Sequence, residues 1–224
     1  EMRTALLIGA TGLTGNHCLN ILLNDDSYQS VTVLTRRALD IRHDKLIQHL
    51  VDFDNLEASS DLIKADDIFC CLGTTIKTAG SKQAFRKVDV EYPTTIAQIA
   101  AKNGSEQFLV ISAPESNDKS LLFYGRAKAE MEQAVCQFPF NGTYIFRPSL
   151  LMGKRDKYRL AEGTAIKVFT ALPWLLSGSL KKFHPIEAKA VATAMVVAAK
   201  SKPQGRQVYQ SDQIQAISNS GELV

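Results

Sequence analysis

Ala5-Leu6-Leu7-Ile8-Gly9-Ala10-Thr11-Gly12-Leu13-Thr14-Gly15 is the stretch that decides the fold. It opens with four consecutive apolar residues. Without polar alternation, such a short run reads as a strand covered on both faces. Glycine then recurs at every third position. Gly9 permits a tight turn off the strand, Gly12 lets the backbone approach an anion with no Cβ in the way, and Gly15 lets a following helix pack closely. Thr11, Leu13 and Thr14 fill the cradle between them. The helix that follows carries Leu19, Leu22 and Leu23, and the amides of its first turn would face the negative charge of a pyrophosphate. Strand, glycine-rich bend and helix, in that order, predict a dinucleotide-binding opening.

The same alternation continues outward. Val31-Thr32-Val33-Leu34, Leu46 to Val51, Ile68 to Leu72, Phe108 to Ile111 and Thr143 to Phe146 are further strand candidates. Between them, helices fit Pro93 to Lys102, with proline in the first turn and Gly104 just past the end, and Tyr124 to Gln137. Continuous apolar strands separated by helices predict an α/β fold: a Rossmann-type, doubly wound parallel sheet with right-handed crossovers. After Arg147-Pro148 the texture changes. Lys154 to Arg159 is a charged loop, 163–172 look helical up to Leu172-Pro173-Trp174, Glu187 to Lys200 is another helix, and Gln207 to Gln210 is a last strand. This reads as one domain over residues 1–224, with a dinucleotide-binding core at 1–148 and a small C-terminal substrate-side elaboration at 149–224.

Composition narrows the classes. The 224 residues are 45% hydrophobic and 22% charged, which excludes wholesale disorder. A net charge of +3 is too mild to predict nucleic-acid binding, and Lys154 to Arg159 reads as a solvated loop. The longest apolar stretch, Ala190 to Ala199, is shorter than the roughly 20 residues a spanning helix needs, so no membrane association is expected. The N-terminus lacks a signal-peptide layout. Cys18, Cys70, Cys71 and Cys136 form no Cys-x-x-Cys pair, and Cys70 and Cys71 would face opposite sides of a strand. Free thiols in a reducing cytoplasm are therefore expected. His17, His43, His49 and His184 show no ligand spacing, and no metal site is expected.

The end of the second strand carries Thr35-Arg36-Arg37. An NAD site ordinarily places a carboxylate about 20 residues after the loop, to bind the ribose 2′-hydroxyl. Here no carboxylate would repel a 2′-phosphate, and the forked guanidinium groups of Arg36 and Arg37 suit one. NADP(H) is therefore expected in preference to NAD(H). Asp52, at the end of the third strand, is placed to receive the adenine amino group, with the Phe53 backbone beside it.

Tyr124-Gly125-Arg126-Ala127-Lys128 places a phenol and an ammonium one turn apart on a helix face. A phenol near pKa 10 is a poor proton relay at neutral pH, and an adjacent cation lowers that value. The pair follows the fifth strand, whose end carries Ser112, and ligands bind at such strand ends in open α/β sheets.

Gly9-x-x-Gly12-x-x-Gly15 together with Ser112 and Tyr124-x-x-x-Lys128 resembles the short-chain dehydrogenase/reductase superfamily. Cys71-Leu72-Gly73-Thr74-Thr75 and Arg147-Pro148-Ser149-Leu150-Leu151-Met152-Gly153 look most like its atypical branch, which includes the Tat-interacting-protein-type oxidoreductases. The resemblance implies that Tyr124 is the proton donor and acceptor. Lys128 would lower its pKa and hold the nicotinamide ribose, and Ser112 would orient a substrate carbonyl. Cys71, Leu72, Gly73 and Thr74 would pass beside the cofactor, and Arg147 would border the nicotinamide end. The chain departs from the family pattern twice. Ser112 is followed by Ala113 where a second hydroxyl is usual, which makes Ser116 a second candidate for the serine's task. Asp89 stands in the place of the usual asparagine.

These readings converge on an NADPH-dependent oxidoreductase acting on a small carbonyl or alcohol. A cofactor-binding sensor of the NmrA-like kind, without turnover, is the alternative. A nucleotide-sugar epimerase or dehydratase ranks last, because only about 75 residues follow the sixth strand, few for a second lobe. The helices at 93–103 and 124–137 would either pair in a homodimer or cover the sheet.

Overall fold

The first strand, β1 (Arg3–Ile8), shows why the sheet has two covered faces. Its successive side chains point to opposite sides. Ala5 and Leu7 enter one apolar core, and Leu6 and Ile8 enter the other. The structure, a computed structural model, describes residues 2–114, 116, 123–153 and 184–223. The expected helix at 163–172, the charged loop at 154–159 and Trp174 lie outside the described residues.

Six more strands join β1: β2 (Tyr28–Thr35), β3 (Leu46–Leu50), β4 (Asp67–Cys70), β5 (Gln107–Ile111), β6 (Gly142–Arg147) and β9 (Gly205–Gln210). They form one seven-stranded sheet in the order β3-β2-β1-β4-β5-β6-β9, and every neighbouring pair is parallel. The last strand of the C-terminal part thus adds to the same sheet as the first. A small parallel pair, β7 (Leu151–Met152) and β8 (Ile186–Glu187), lies apart from it.

Helices cover both faces. On one side α1 (Leu13–Leu23), α6 (Ala188–Ser201) and α7 (Ser211–Ser220) supply Leu19, Val191 and Ile214 to the first core. On the other side α4 (Tyr92–Lys102) and α5 (Phe123–Val135) supply Ile96 and Met131 to the second. Between β4 and α4 the sequence reading left out two short helices, α2 (Ile76–Ala79) and α3 (Lys82–Arg86), and a π-helical turn (Lys87–Glu91) that runs directly into α4. Helix α7 is a further addition. Its first turn is closed by a reciprocal capping box between Gln210 and Gln213.

The chain leaves β1 in one direction toward β2 and β3, then returns to build outward from β4. The reversal falls between β1 and β4, and such a switch point opens a crevice at the carboxyl ends of the strands. The opposite end of the sheet is closed by a buried polar clamp, in which Asp67 accepts from Arg3 at 2.5 Å and from the Tyr28 hydroxyl at 2.8 Å.

Candidate functional site

The crevice begins at the glycine bend. Gly9 adopts φ +89°, a left-handed conformation that disfavours any side chain. A Cβ there would also sit 2.6 Å from the Cys71 carbonyl oxygen, across the switch point. A Cβ at Gly15 would collide with the Gly9 carbonyl, so this glycine packs α1 against the bend itself. Gly12 donates its amide to the Gly9 carbonyl at 2.9 Å and stands at the N-cap of α1. It supplies no side-chain cap, and the first turn of α1 contains no acidic residue. The Thr14 hydroxyl is buried and makes no hydrogen bond among the described residues. Uncapped amides, a left-handed glycine and an orphaned buried hydroxyl fit the pyrophosphate of a dinucleotide.

At the end of β2, Thr35 shapes the turn, donating its hydroxyl to the Arg37 carbonyl at 2.8 Å and accepting from the Arg37 amide at 3.3 Å. Arg36 and Arg37 are both exposed there. Past β3, the exposed Asp52 accepts from the Asp54 amide at 2.9 Å and so caps the 3₁₀ segment Phe53–Leu62. Phe53 is buried, with its ring 5.5 Å from that of Tyr92. Tyr92 donates to Asp54, and burial, with that bond second, pushes its phenol up to about 12.

At the end of β4, the Cys71 amide donates to the Ile8 carbonyl at 2.9 Å, which holds the strand end against β1. Cys70 and Cys71 enter opposite cores, as the alternation requires. The Cys71 thiol lies against Cys18, and that contact with burial pushes it well above the ordinary range. Leu72, Gly73 and Thr74 follow, and the Thr74 amide donates to Asp89 at 2.9 Å.

Lys128 is 2% exposed and Asp89 is wholly buried. The lysine ammonium meets the second Asp89 oxygen at 2.7 Å and donates to the Ile111 carbonyl at 3.4 Å. Burial pulls the Lys128 pKa down, but the charges of Asp89 and Tyr124 oppose it, and the net direction is upward. Tyr124 is 37% exposed at the head of α5, with its ring 5.4 Å from that of the buried Phe85. The lysine thus lies inside and the tyrosine at the surface, one turn apart on the same helix.

Ser112 departs from the role the resemblance gives it. Its hydroxyl is buried and donates to Glu132 at 2.5 Å. Ser116 lies 3.1 Å from it and donates to the Ala113 carbonyl at 2.6 Å. Glu132 also accepts from Arg147 at 2.6 and 2.9 Å, and Arg147 reaches the Ser116 carbonyl at 3.1 Å. Ser112 and Arg147 therefore form a brace at the ends of β5 and β6, in which the Ser112 hydroxyl and the Nε and Nη2 groups of Arg147 donate to protein acceptors. Sequence reasoning missed Glu132 and Phe85. Glu132 had a signal: Tyr124, Lys128 and Glu132 follow one another at i+4, so a charged pair shares the face of the tyrosine.

A hollow of about 820 Å³ opens beside Thr11, Gly12 and Leu13. Leu39, Ile41, Met152 and Lys189 are among its walls, whereas Arg36, Asp52 and Tyr124 are not. Among the described residues, no cluster of three or more His, Cys, Asp or Glu could hold a metal, and no helix is long and apolar enough to cross a membrane.

Comparison with known proteins places this geometry. Rat protein HTATIP2 is 31% identical over 177 residues, 77% of this chain and 73% of its own length. Protein FMP52, mitochondrial, of Debaryomyces hansenii is 31% identical over 200 residues, 86% of each. These relatives uphold the resemblance to the atypical short-chain branch. Among solved structures, MoeE5 in complex with UDP-glucose and NAD superposes with a TM-score of 0.68 at 16% identity, covering 97% of this chain and 81% of that one. The Helicobacter pylori ADP-L-glycero-D-manno-heptose-6-epimerase does so with 0.66 at 18% identity, covering 100% and 84%. At that identity the likeness establishes the fold. The cytoplasmic expectation is corrected, because the fungal FMP52 relatives are named mitochondrial. Its basis was free thiols, which argue only against an oxidising compartment and do not single out the cytoplasm. The family model for the NAD dependent epimerase/dehydratase family matches residues 5–209, from β1 into β9, and the chain belongs to that family.

Proposed function

We propose that this chain is an oxidoreductase that uses NADPH to reduce a small carbonyl, or the oxidised cofactor to oxidise the corresponding alcohol. The observation that carries this reading is the placement of two features on the carboxyl rim of one sheet. The Gly9–Gly15 cradle lies at the end of β1, and Lys128 with Tyr124 lies beyond the end of β5, on the other side of the switch point. A bound dinucleotide would supply or accept the hydride. The amides of the first turn of α1 would hold its pyrophosphate, and Arg36 and Arg37 would hold a 2′-phosphate. Asp52 would accept from the adenine amino group. Lys128 has three N–H donors; among the described residues its ammonium meets Asp89 and Ile111, which would leave a donor for the ribose hydroxyls. Tyr124 would give its Oη proton to the substrate oxygen or take it back.

The commitment of Ser112 to Glu132 favours a second reading, in which the chain binds the cofactor and reports its state without turnover. The family's name keeps a third in view, epimerisation or dehydration of a nucleotide sugar. One set of measurements separates the three: NADPH binding by fluorescence titration, then turnover on a panel of aldehydes, ketones and nucleotide sugars. Carbonyl turnover abolished by Tyr124→Phe supports the oxidoreductase. Saturable binding with no turnover on any substrate supports the sensor, and conversion of a sugar nucleotide without net cofactor consumption supports the epimerase. Absence of dinucleotide binding would overturn all three.

A further inference from the structure

Asp89 stands where the resemblance leads one to expect an uncharged amide, and it does more than occupy the place. It lies in the π turn that precedes α4, and its two carboxylate oxygens reach in different directions. One meets the Lys128 ammonium at 2.7 Å, and the other accepts the Thr74 amide at 2.9 Å. The Lys128 and Asp89 side chains are 3% and 0% exposed. A buried ammonium without a counter-charge loses its proton readily, because the interior disfavours the charged form.

We propose that Asp89 is a positioning residue that keeps Lys128 an ammonium and ties it to the Gly73–Thr74 backbone. The proposal rests on the oxidoreductase reading for its meaning, since only there does the charge on Lys128 act on Tyr124 and on a cofactor ribose. Among the described residues, the titratable groups that face Lys128 are Asp89 from the π turn, Cys70 from the end of β4 and Tyr124 from its own helix. Cys70 is pushed up to about 12 by burial, so at neutral pH it is an uncharged thiol. The remaining partner, the Ile111 carbonyl, is neutral. The acidic partner within ion-pair distance of the ammonium is thus Asp89. The pair also joins three pieces of the rim: α5 through the lysine, the π turn through the aspartate, and the segment after β4 through Thr74.

The test is a pH titration of the full chain carrying lysine labelled with 13C at Cε, with the Lys128 resonance assigned by its loss in Lys128→Met. In the native chain Lys128 stays protonated beyond the range of exposed lysines. In Asp89→Asn its midpoint falls by about two pH units or more, and Asp89→Glu, which keeps the charge, restores most of the difference. An unchanged midpoint in Asp89→Asn, or an equal fall in both variants, overturns the proposal. If Asp89→Asn does not fold, the double variant Asp89→Asn/Lys128→Met decides. It folds if the aspartate serves the cation, because both buried charges are then gone. A double variant that also fails to fold overturns the proposal. Neither measurement uses cofactor or substrate. Failure to bind NADPH would therefore sink the functional reading and leave the ion pair standing, whereas an unmoved lysine beside intact turnover would sink only the role of Asp89.

Discussion

Ser112 at the end of β5 and Glu132 in the second half of α5 share a buried hydrogen bond of 2.5 Å. The bond turns the serine inward, toward the carboxylate that Arg147 grips from β6. It makes Ser112 a support for the helix that carries Tyr124 and Lys128. Ser112→Ala should therefore destabilise the fold by about 1–2 kcal/mol and reduce carbonyl turnover far less than Tyr124→Phe, which removes the proton and should lower kcat about 100-fold or more. Glu132→Ala leaves Arg147 without its counter-charge and should destabilise by about 3–5 kcal/mol. Urea unfolding and steady-state kinetics measured on the same preparations check both. A Ser112→Ala protein of native stability and no turnover would return the serine to the substrate.

The cradle predicts a second pair of effects. Gly15→Ala places a methyl group against the Gly9 carbonyl, and Gly9→Ala adds the strain of a positive φ to a clash with Cys71. Each should weaken the fold by about 1–3 kcal/mol and abolish saturable dinucleotide binding. Gly104→Ala is a control for the φ effect alone, since φ is +82° there and a methyl group would meet nothing within 4 Å. It should lose stability while binding is retained. Thermal unfolding with and without NADPH distinguishes the three.

Cofactor preference depends on the turn after β2. Both arginines are exposed there, and neither backbone turn bond uses a guanidinium. Arg36→Ala should weaken NADPH binding by about 10- to 100-fold and NADH binding much less, since charge-assisted hydrogen bonds to phosphate contribute about 1.5–3 kcal/mol. Calorimetric titration with each cofactor measures the difference. Equal losses would remove the 2′-phosphate from Arg36.

Asp25 makes a pH-dependent tie between the α1–β2 connection and α6. It bonds Lys200 at 2.8 Å and accepts from Ser27. Burial alone would raise its pKa, but the bonds to Lys200 and Ser27 outweigh it and hold the carboxyl below its ordinary range. The proton thus binds the unfolded chain more readily than the folded one. The contribution is fully present above the unfolded value, near pH 4, and is lost as pH falls through the lower folded value. Asp25→Asn should cost no more than about 1 kcal/mol at pH 7, because Lys200 is half exposed, and less near pH 2. Denaturant midpoints at the two pH values give the comparison.

Much of this arrangement was legible in the sequence. Leu6-Leu7-Ile8 and the three glycines gave the strand, the bend and the helix because local sterics and burial alone determine them. Tyr124 and Lys128 could be paired because they are neighbours on one helix. The partners of Lys128 were harder to read. Asp89 is 39 positions away in sequence, and its direction depends on a π turn that no periodicity announces. Glu132 was passed over because a glutamate in a helix ordinarily faces solvent, and only packing against Arg147 reveals otherwise. Asp52 was read for its position at a strand end, while its cap on the following 3₁₀ segment came from the fold. Helix limits shifted by one or two residues, as at α5, where Phe123–Val135 replaces 124–137.

The widened turn at Lys87–Glu91 has a consequence for how the interior acquired a carboxylate. Backbone from Lys82 to Lys102 is helical apart from that one loosened coil. Each residue of a regular helix advances the side chains by about 100° around the axis. Removing Val90 or Glu91 from the loosened coil would tighten it to ordinary pitch and rotate what precedes the gap, Asp89 included, by that angle relative to α4. The aspartate would then swing away from the lysine, and a stretch of identical amphipathic character would present its acid to water. A single surplus residue in a helix is thus what carries a negative charge to the middle of the molecule.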